Sequence, residues 1–253
     1  MKKLIQKIFN KIGFKIMKTS TMDFKTDLDY VIKKLLNLKN PIIFDVGAND
    51  GKSITRFKKI FSDLTIHAFE PQKKLYLECK KLSGKNIHVN NFALGKTEEN
   101  LVFNKYAQEG LSSFHEYNEK PYWSKKKDKF SKNGKMIIDK FLAKIVSLDK
   151  YCRDHKIDNI DLLKIDTQGY EEEILEGSKN LIKSNNIKVI EVELIFSDLY
   201  KKKISNLYDI EKKLIPFGYS LIAISSGGSV VTQDIYQADL IYVNREIRNN
   251  LKI

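Results

Sequence analysis

The sequence predicts an α/β fold, a mostly parallel, doubly wound sheet with ligand sites at the carboxyl ends of its strands. Three observations predict it. Short apolar runs alternate with helix-length stretches along most of the 253 residues. The first run, Ile42-Ile43-Phe44-Asp45-Val46, passes through Gly47-Ala48-Asn49-Asp50-Gly51 straight into a helical pattern. The next run also ends on a carboxylate, at Phe69-Glu70-Pro71.

In chain order, residues 1–20 are expected to form a basic amphipathic helix. Leu4, Ile5, Ile8, Phe9, Ile12 and Ile16 share one face, with Lys3, Lys7, Lys11 and Lys18 opposite. Such a helix over residues 3–18 suits peripheral contact with a membrane. It equally suits docking on the domain or on a partner subunit, and both readings stay open. Residues 22–40 hold a second helix, from about Asp23 to Leu38, stopped at Asn40-Pro41. The main domain spans 41–247. Strands are expected at 42–46, 65–70, 87–92, 160–165, 187–194, 219–224 and 238–243, and helices at about 52–61, 72–83, 170–183 and 204–215. The rhythm breaks at 100–146, which carries Gly110-Leu111-Ser112-Ser113-Phe114-His115, Tyr117, Pro121-Tyr122-Trp123 and a lysine-rich run from Lys125 to Lys135. An insertion this long reads as a partly mobile substrate lid. A strand-like Ile145-Val146-Ser147 and a helix from Leu148 to about His155 adjoin it.

Composition narrows the function. With 42% apolar and 11% aromatic residues the chain can bury a full core. The net charge of +13 invites a nucleic-acid partner. However, Arg56, Arg153, Arg245 and Arg248 are the only arginines, and the lysines are spread over nearly every segment. A solvated basic surface fits better than a base-reading one, so no specific nucleic acid is expected. Cys79 and Cys152, the only cysteines, fit buried thiols in a reducing compartment. No apolar run approaches the ~20 residues that span a bilayer. A secretory signal is absent from the basic N-terminus. The expectation is therefore a cytoplasmic protein, with the inner membrane face as its site if residues 3–18 bind lipid.

Gly47 and Gly51 stand where the backbone bends sharply and a ligand approaches closely. The helix after them offers free N–H groups at Lys52-Ser53. A nicotinamide site would place glycine two residues before Gly47, beside the pyrophosphate. Asp45 stands there instead and can accept from an ammonium group. Glu70, ending the second strand, is placed to accept both hydroxyls of a ribose. Together they suit a cofactor with an amino-acid end and a ribose diol, and they disfavour an oxidoreductase.

Further blocks extend the pattern: Asn91-Phe92-Ala93-Leu94-Gly95, Ser112-Ser113, Ser147-Leu148-Asp149, and Leu163-Lys164-Ile165-Asp166-Thr167-Gln168-Gly169-Tyr170-Glu171. With these, the chain from Ile42 to about Val243 resembles the FkbM family of S-adenosylmethionine-dependent methyltransferases. It departs at Gln168, where members often carry glutamate. The resemblance implies a Rossmann-like, seven-stranded class I methyltransferase sheet with a reversed final strand, and O-methylation of a hydroxyl. By position it implies that Asp45, Gly47, Asn49 and Gly51 line the methionine end of S-adenosylmethionine and Glu70 the ribose, with Pro71 following. Asn91, Ala93 and Leu94 would lie near the adenine and Asp166 beside the transferred methyl.

A base is worth roughly a hundredfold to ten-thousandfold in such a reaction. Asp166 is the first candidate, helped by Lys164 or by a metal, and His115 the second. Glu191 and Glu193 point the same way from one strand. With Asp166 they could form an oxygen-rich divalent-metal site. The favoured alternative has one glutamate on the acceptor and the other paired with a lysine. Tyr117, Tyr122 and Trp123 are candidates for stacking on a sugar ring, with Ser112, Ser113, Gln168 and Glu193 as further acceptor contacts. The leading expectation is methylation of a sugar hydroxyl in a surface glycan or glycoconjugate, free or linked to lipid or nucleotide. Its rivals are a nucleic-acid methyltransferase and a catalytically silent cofactor-binding module. The former is disfavoured because Asp166-Thr167-Gln168-Gly169 stands where base N-methylation commonly uses an Asp/Asn-Pro-Pro-aromatic segment.

Overall fold

The computed structural model describes residues 9, 27–118, 131–196, 199–201, 204–227 and 237–251. The expected helix over 3–18 (apart from Phe9) and the aromatic pair Tyr122 and Trp123 lie outside the described residues.

Strand β1 (Ile42–Val46) lies in the interior of the sheet, buried on both faces, with Asp45 its one charged residue. Ile43 packs into one core cluster with Ile54, Phe57 and Leu162. Phe44 and Val46 pack into the other with Tyr151, Leu163 and Ile165. Strands β2 (Thr65–Phe69) and β3 (Ile87–Asn90) lie on one side, each parallel to its neighbour. On the other side come β7 (Ile160–Ile165) and β8 (Ile187–Ile195), both parallel. Strand β10 (Gln237–Val243) then inserts between β8 and β9 (Ser220–Gly227), antiparallel to both. The order β3-β2-β1-β7-β8-β10-β9 is the seven-stranded sheet with a reversed final strand that the sequence led us to expect.

Helices cover both faces. Helix α1 (Leu28–Leu36) starts where the Asp27 carboxylate accepts from the Tyr30 N–H, and it buries Leu28, Ile32 and Leu36 along one stripe. It ends two residues before the expected Leu38, and residues 23–26 of the expected helix lie outside the described residues. Helix α2 (Lys52–Ile60) begins at Gly51 and buries Ile54 and Phe57. Helix α3 (Lys73–Lys80) follows β2, α4 (Leu148–His155) precedes β7, α7 (Leu207–Leu214) precedes β9 and α8 (Arg245–Asn250) follows β10. Among the described residues no helix is long and apolar enough to cross a membrane.

Two expectations are corrected. The single helix read over 170–183 is two, α5 (Glu171–Glu176) and α6 (Lys179–Lys183), separated at Gly177 and Ser178. A Cβ on Gly177 would lie 1.9 Å from the Gly95 carbonyl oxygen, so the chain touches backbone to backbone there. The two ends of the supposed lid at 100–146 belong to a second, three-stranded sheet, and residues 119–130 lie outside the described residues. β5 (Glu99–Tyr106) and β6 (Ile137–Val146) form an antiparallel hairpin, with β4 (Ala93–Leu94) parallel to β6. Phe103 and Phe141 face each other across the hairpin, ring centroids 5.4 Å apart. The charged residues between such pairs hid the alternation of both strands.

The Ser147-Leu148-Asp149 block is scaffolding. Ser147 caps α4 by accepting from the Lys150 N–H, and Leu148 is fully buried. The Asp149 carboxylate accepts from the N–H groups of Asn180 and Leu181 at 2.9 and 3.1 Å, closing the N-terminus of α6. Cys79 and Cys152 are both buried, and burial above all pushes each thiol up to about 12. Replacing Asp149 by alanine should cost about 1–2 kcal/mol and lower the melting temperature by several degrees, as read by calorimetry. Ligand affinity in the cleft described next should stay unchanged.

Candidate active site

A cleft of about 310 Å3 opens at the carboxyl ends of β1, β2, β7 and β8. Open parallel sheets place their ligands there. Its construction starts at Gly47, whose positive φ of 85° turns the chain off β1. The N–H groups of Gly47 and Ala48 both bond the Phe69 carbonyl, tying the ends of β1 and β2 together. A Cβ at Gly47 would lie 1.9 Å from the Asp166 carbonyl oxygen, so only glycine lets the loop after β1 press against the end of β7.

Glu70 lines the cleft and is only 4% exposed. Its Oε2 accepts from the Asn49 N–H at 3.0 Å and its Oε1 from the Gln72 N–H at 2.8 Å. A carboxylate has about four acceptor sites, so lone pairs remain on both oxygens. Burial pushes this carboxyl up to about 7, against the pull of the two backbone N–H groups. Asn91 stands behind, donating to the carbonyls of Glu70 and Pro71. The apolar part of the wall is Phe69, Ala93, Leu94, Phe103, Phe114 and Tyr170, with Phe114 edge-on to Phe103 at 4.9 Å and tilted against Tyr170 at 4.6 Å.

The opposite chemistry gathers at the ends of β7 and β8. The Asp166 carboxylate accepts from Lys164 Nζ at 3.1 Å and from the Gln168 amide at 3.3 Å. Burial works against its ionisation, but Lys164 and the hydrogen bonds from Glu193 and Gln168 hold it below the usual carboxylate range. Glu193 is pushed the other way, by burial and by Asp166 beside it. Its oxygens accept from Gln168 Nε2 at 2.7 Å and Gln237 Nε2 at 2.9 Å.

The loop bearing Gln168 is fixed from below by Glu171. This buried carboxylate accepts from the Thr167 N–H, the Thr167 hydroxyl and the Gly169 N–H, all through Oε1. It thereby holds Gln168 and Gly169 at positive φ. Burial pushes Glu171 up to about 7. From above, the Tyr200 hydroxyl donates to the Leu111 carbonyl at 2.9 Å and approaches Gln168 Oε1 at 3.3 Å. This joins the roof segment 108–112 to the same side chain.

Of the residues singled out from the sequence, Gly47, Asn49, Glu70, Pro71, Ala93, Leu94, Ser112, Asp166, Gln168 and Glu193 line the cleft. Several others do not. Asp45 is fully buried on the far face of the sheet, hydrogen-bonded by the Ser53 hydroxyl and 3.7 Å from Lys164. The two-residue period of β1 turns it away while Val46 faces inward. Lys164 lies behind Asp166 on that same face and acts on the cleft only through it. Gly51 caps α2, and Asn91 backs the wall. Ser113 is buried, donating to the Gln168 carbonyl. His115 Nε2 donates to the Gly169 carbonyl at 2.9 Å, outside the cleft, which corrects its reading as a base. Tyr117 packs with Met136 and Tyr200 in a separate cluster and offers the cleft no ring.

The alternative metal set is not assembled either. Glu191 pairs with Arg56 at 2.8 Å, and Asp166 is taken by Lys164. Among the described residues no group of three or more His, Cys, Asp or Glu is placed to hold a metal ion. Sequence reasoning missed Tyr200 and Gln237, while the roof segment falls within the expected substrate lid. The signal for Gln237 was its place two residues before Asp239, which faces Glu193 in the antiparallel register.

Comparison with known proteins matches residues 45–221 to a family model described as the methyltransferase FkbM domain. The 2-O-methyltransferase NoeI of Sinorhizobium fredii (strain NBRC 101917 / NGR234) is 23% identical over 171 residues, covering 67% of this chain and 70% of that protein. Among solved structures, precorrin-6y C5,15-methyltransferase from Geobacter metallireducens GS-15 aligns with a TM-score of 0.42 at 14% identity, over 92% of this chain and 95% of that one. TrmK of M. capricolum, in complex with S-adenosyl-homocysteine, aligns at 0.44 and 12% identity, over 85% and 68%.

Glu171 ties pH to stability. Its carboxyl titrates near 7 in the folded chain and near 4.3 unfolded, so the folded state holds more protons between those values. Its contribution is fullest at low pH and is lost as pH rises towards 7. The stability of Glu171→Gln relative to the parent, from urea unfolding at a series of pH values, should therefore rise from about pH 4.5 to 7 and then level off. A flat difference would refute the buried titration.

Proposed function

The chain belongs to the FkbM methyltransferase family, and from that membership we propose that it transfers the methyl group of S-adenosylmethionine to a hydroxyl oxygen of a sugar in a glycan or glycoconjugate. The observation that carries the cofactor is Glu70, a buried carboxylate anchored by two backbone N–H groups at the end of β2, with acceptor sites left for a ribose diol. The cleft fits the rest. Phe103, Phe114, Ala93 and Leu94 offer an apolar slot for a flat base, and Gly47 lets a ligand approach the backbone. The oxygen acceptor is supported by NoeI, named a 2-O-methyltransferase. The sugar is supported by the hydrogen-bonding wall of Asp166, Gln168, Glu193 and Gln237, which suits a polyhydroxylated molecule.

When bound, the cofactor supplies a methyl group on a positively charged sulfur, open to attack by an oxygen. The protein's part is to orient that oxygen and take its proton. Asp166 is the group for this role: Lys164 keeps it ionised at neutral pH, and its carboxylate faces the cleft. Positioning alone supplies several kcal/mol in such a bimolecular step.

Two measurements test the reading. Most of Glu70 carries a proton at about pH 6 in the free protein, given its value of about 7. Ribose hydroxyls donate to its ionised form and pull that value down. S-adenosylhomocysteine binding, followed by calorimetry in buffers of different ionisation enthalpy, should release close to one proton at about pH 6 and almost none near pH 8.5. Glu70→Gln should abolish the release and weaken binding about tenfold or more. Release that persists in Glu70→Gln would remove Glu70 from the ribose site.

Asp166→Asn should keep the fold and cofactor affinity while slowing methyl transfer, measured as product per turnover by mass spectrometry, by about a hundredfold or more. A rate within a few fold of the parent would leave the proton to another group.

A further inference from the structure

The acceptor end of the cleft is one-sided in its hydrogen bonding. Gln168 uses its amide N–H groups on Asp166 and Glu193, and the Tyr200 hydroxyl lies 3.3 Å from its oxygen. Gln237 donates to Glu193 from Nε2. Lys164, the nearest cation, is held by Asp166 and Asp45 on the far face of the sheet. No lysine or arginine lines the cleft among the described residues, whereas Glu70, Glu109, Asp166 and Glu193 do. Behind the wall, Asp239 stands opposite Glu193 and Glu191 opposite Lys164 in the strand register. The surface met by an acceptor is therefore rich in lone pairs and negative charge, and poor in donors.

The geometry points to an acceptor subsite, formed by Glu193 and Gln237 beside Asp166, that takes a polyol through hydroxyl or ammonium donors and rejects phosphate or carboxylate groups next to the methylated hydroxyl. The inference rests on the methyltransferase reading and deepens it. A hydroxyl can donate to Glu193 and accept the remaining N–H of the Gln237 amide, so one neighbouring hydroxyl satisfies both side chains. An ammonium meets the negative charge that Asp166 and Glu193 share. A phosphate brings only acceptors and charge of the same sign, an unfavourable juxtaposition in a partly buried site. Burial and Asp166 keep Glu193 above the usual carboxylate range, consistent with a proton held between the two acids until a donor from the acceptor replaces it. The net charge of +13 does not oppose this, since the lysines and arginines among the described residues all lie outside the cleft lining. A phosphorylated carrier would have to keep its phosphates at that outer surface.

The test uses the full chain saturated with S-adenosylhomocysteine and three probes, methyl glucoside, glucosamine and glucose 6-phosphate, followed by saturation-transfer NMR titration. The first two should bind saturably, glucosamine at least as tightly as the glucoside, and glucose 6-phosphate about tenfold or more weakly. Glu193→Gln should weaken the first two roughly fivefold or more while S-adenosylhomocysteine binds as in the parent. Gln237→Ala, at the end of a strand and tolerant of truncation, should act in the same direction and serves if Glu193→Gln does not fold. Equal or tighter binding of glucose 6-phosphate, binding by none of the probes, or unchanged binding in the folded variants would overturn the inference. Failure of S-adenosylhomocysteine itself to bind is scored before any sugar is added, and would overturn the methyltransferase reading along with it.

Discussion

The buried ammonium of Lys164 is the charge on which the carboxyl edge of the sheet depends. It lies 3.1 Å from Asp166 and 3.7 Å from Asp45, with Glu191 its partner in the strand register. Burial disfavours its charged form, but Asp166, Asp45 and Glu191 outweigh that and hold it protonated. Arg56 supports the same arrangement from α2 by reaching Glu191 on one side and Asp29 of α1 on the other. Without Lys164 three acids would crowd one face of a parallel sheet. Breaking a buried pair in this way typically costs about 3–5 kcal/mol.

Several of the motif residues are scaffolding one layer behind the cleft. Asp149 closes a helix, Asn91 holds two carbonyls, and Glu171 ties three donors to one oxygen. Each does so with a polar side chain that satisfies backbone groups left unpaired where a helix begins or a strand ends. The cleft itself is then assembled from loops whose conformations these residues leave little freedom to change.

The order and direction of the central strands were legible because each is a continuous apolar run bounded by turn residues. Gly47 and Glu70 could be placed at the cleft for the same reason, since a strand's end and a positive φ are local properties. What escaped was set by tertiary neighbours. The alternation of β5 and β6 is masked by lysines and asparagines, and exposed Val102 and Leu142 lie across from each other on its outer face. Asp45 reads as a cofactor contact from its spacing, yet the strand pleat sends it to the opposite face. Tyr200 and Gln237 reach the site from segments distant in the chain, which no local pattern records.

The burial of Cys79 and Cys152 has a practical side. A thiol that ionises only near 12 presents almost no thiolate at neutral pH, and neither sulfur meets solvent. The native chain is thus already silent towards maleimides, without any cysteine replaced. A single cysteine introduced on the roof segment near Gly110 would be the one reactive handle on the folded protein, ready for a spin label or a fluorophore that follows how that roof responds as the cleft fills.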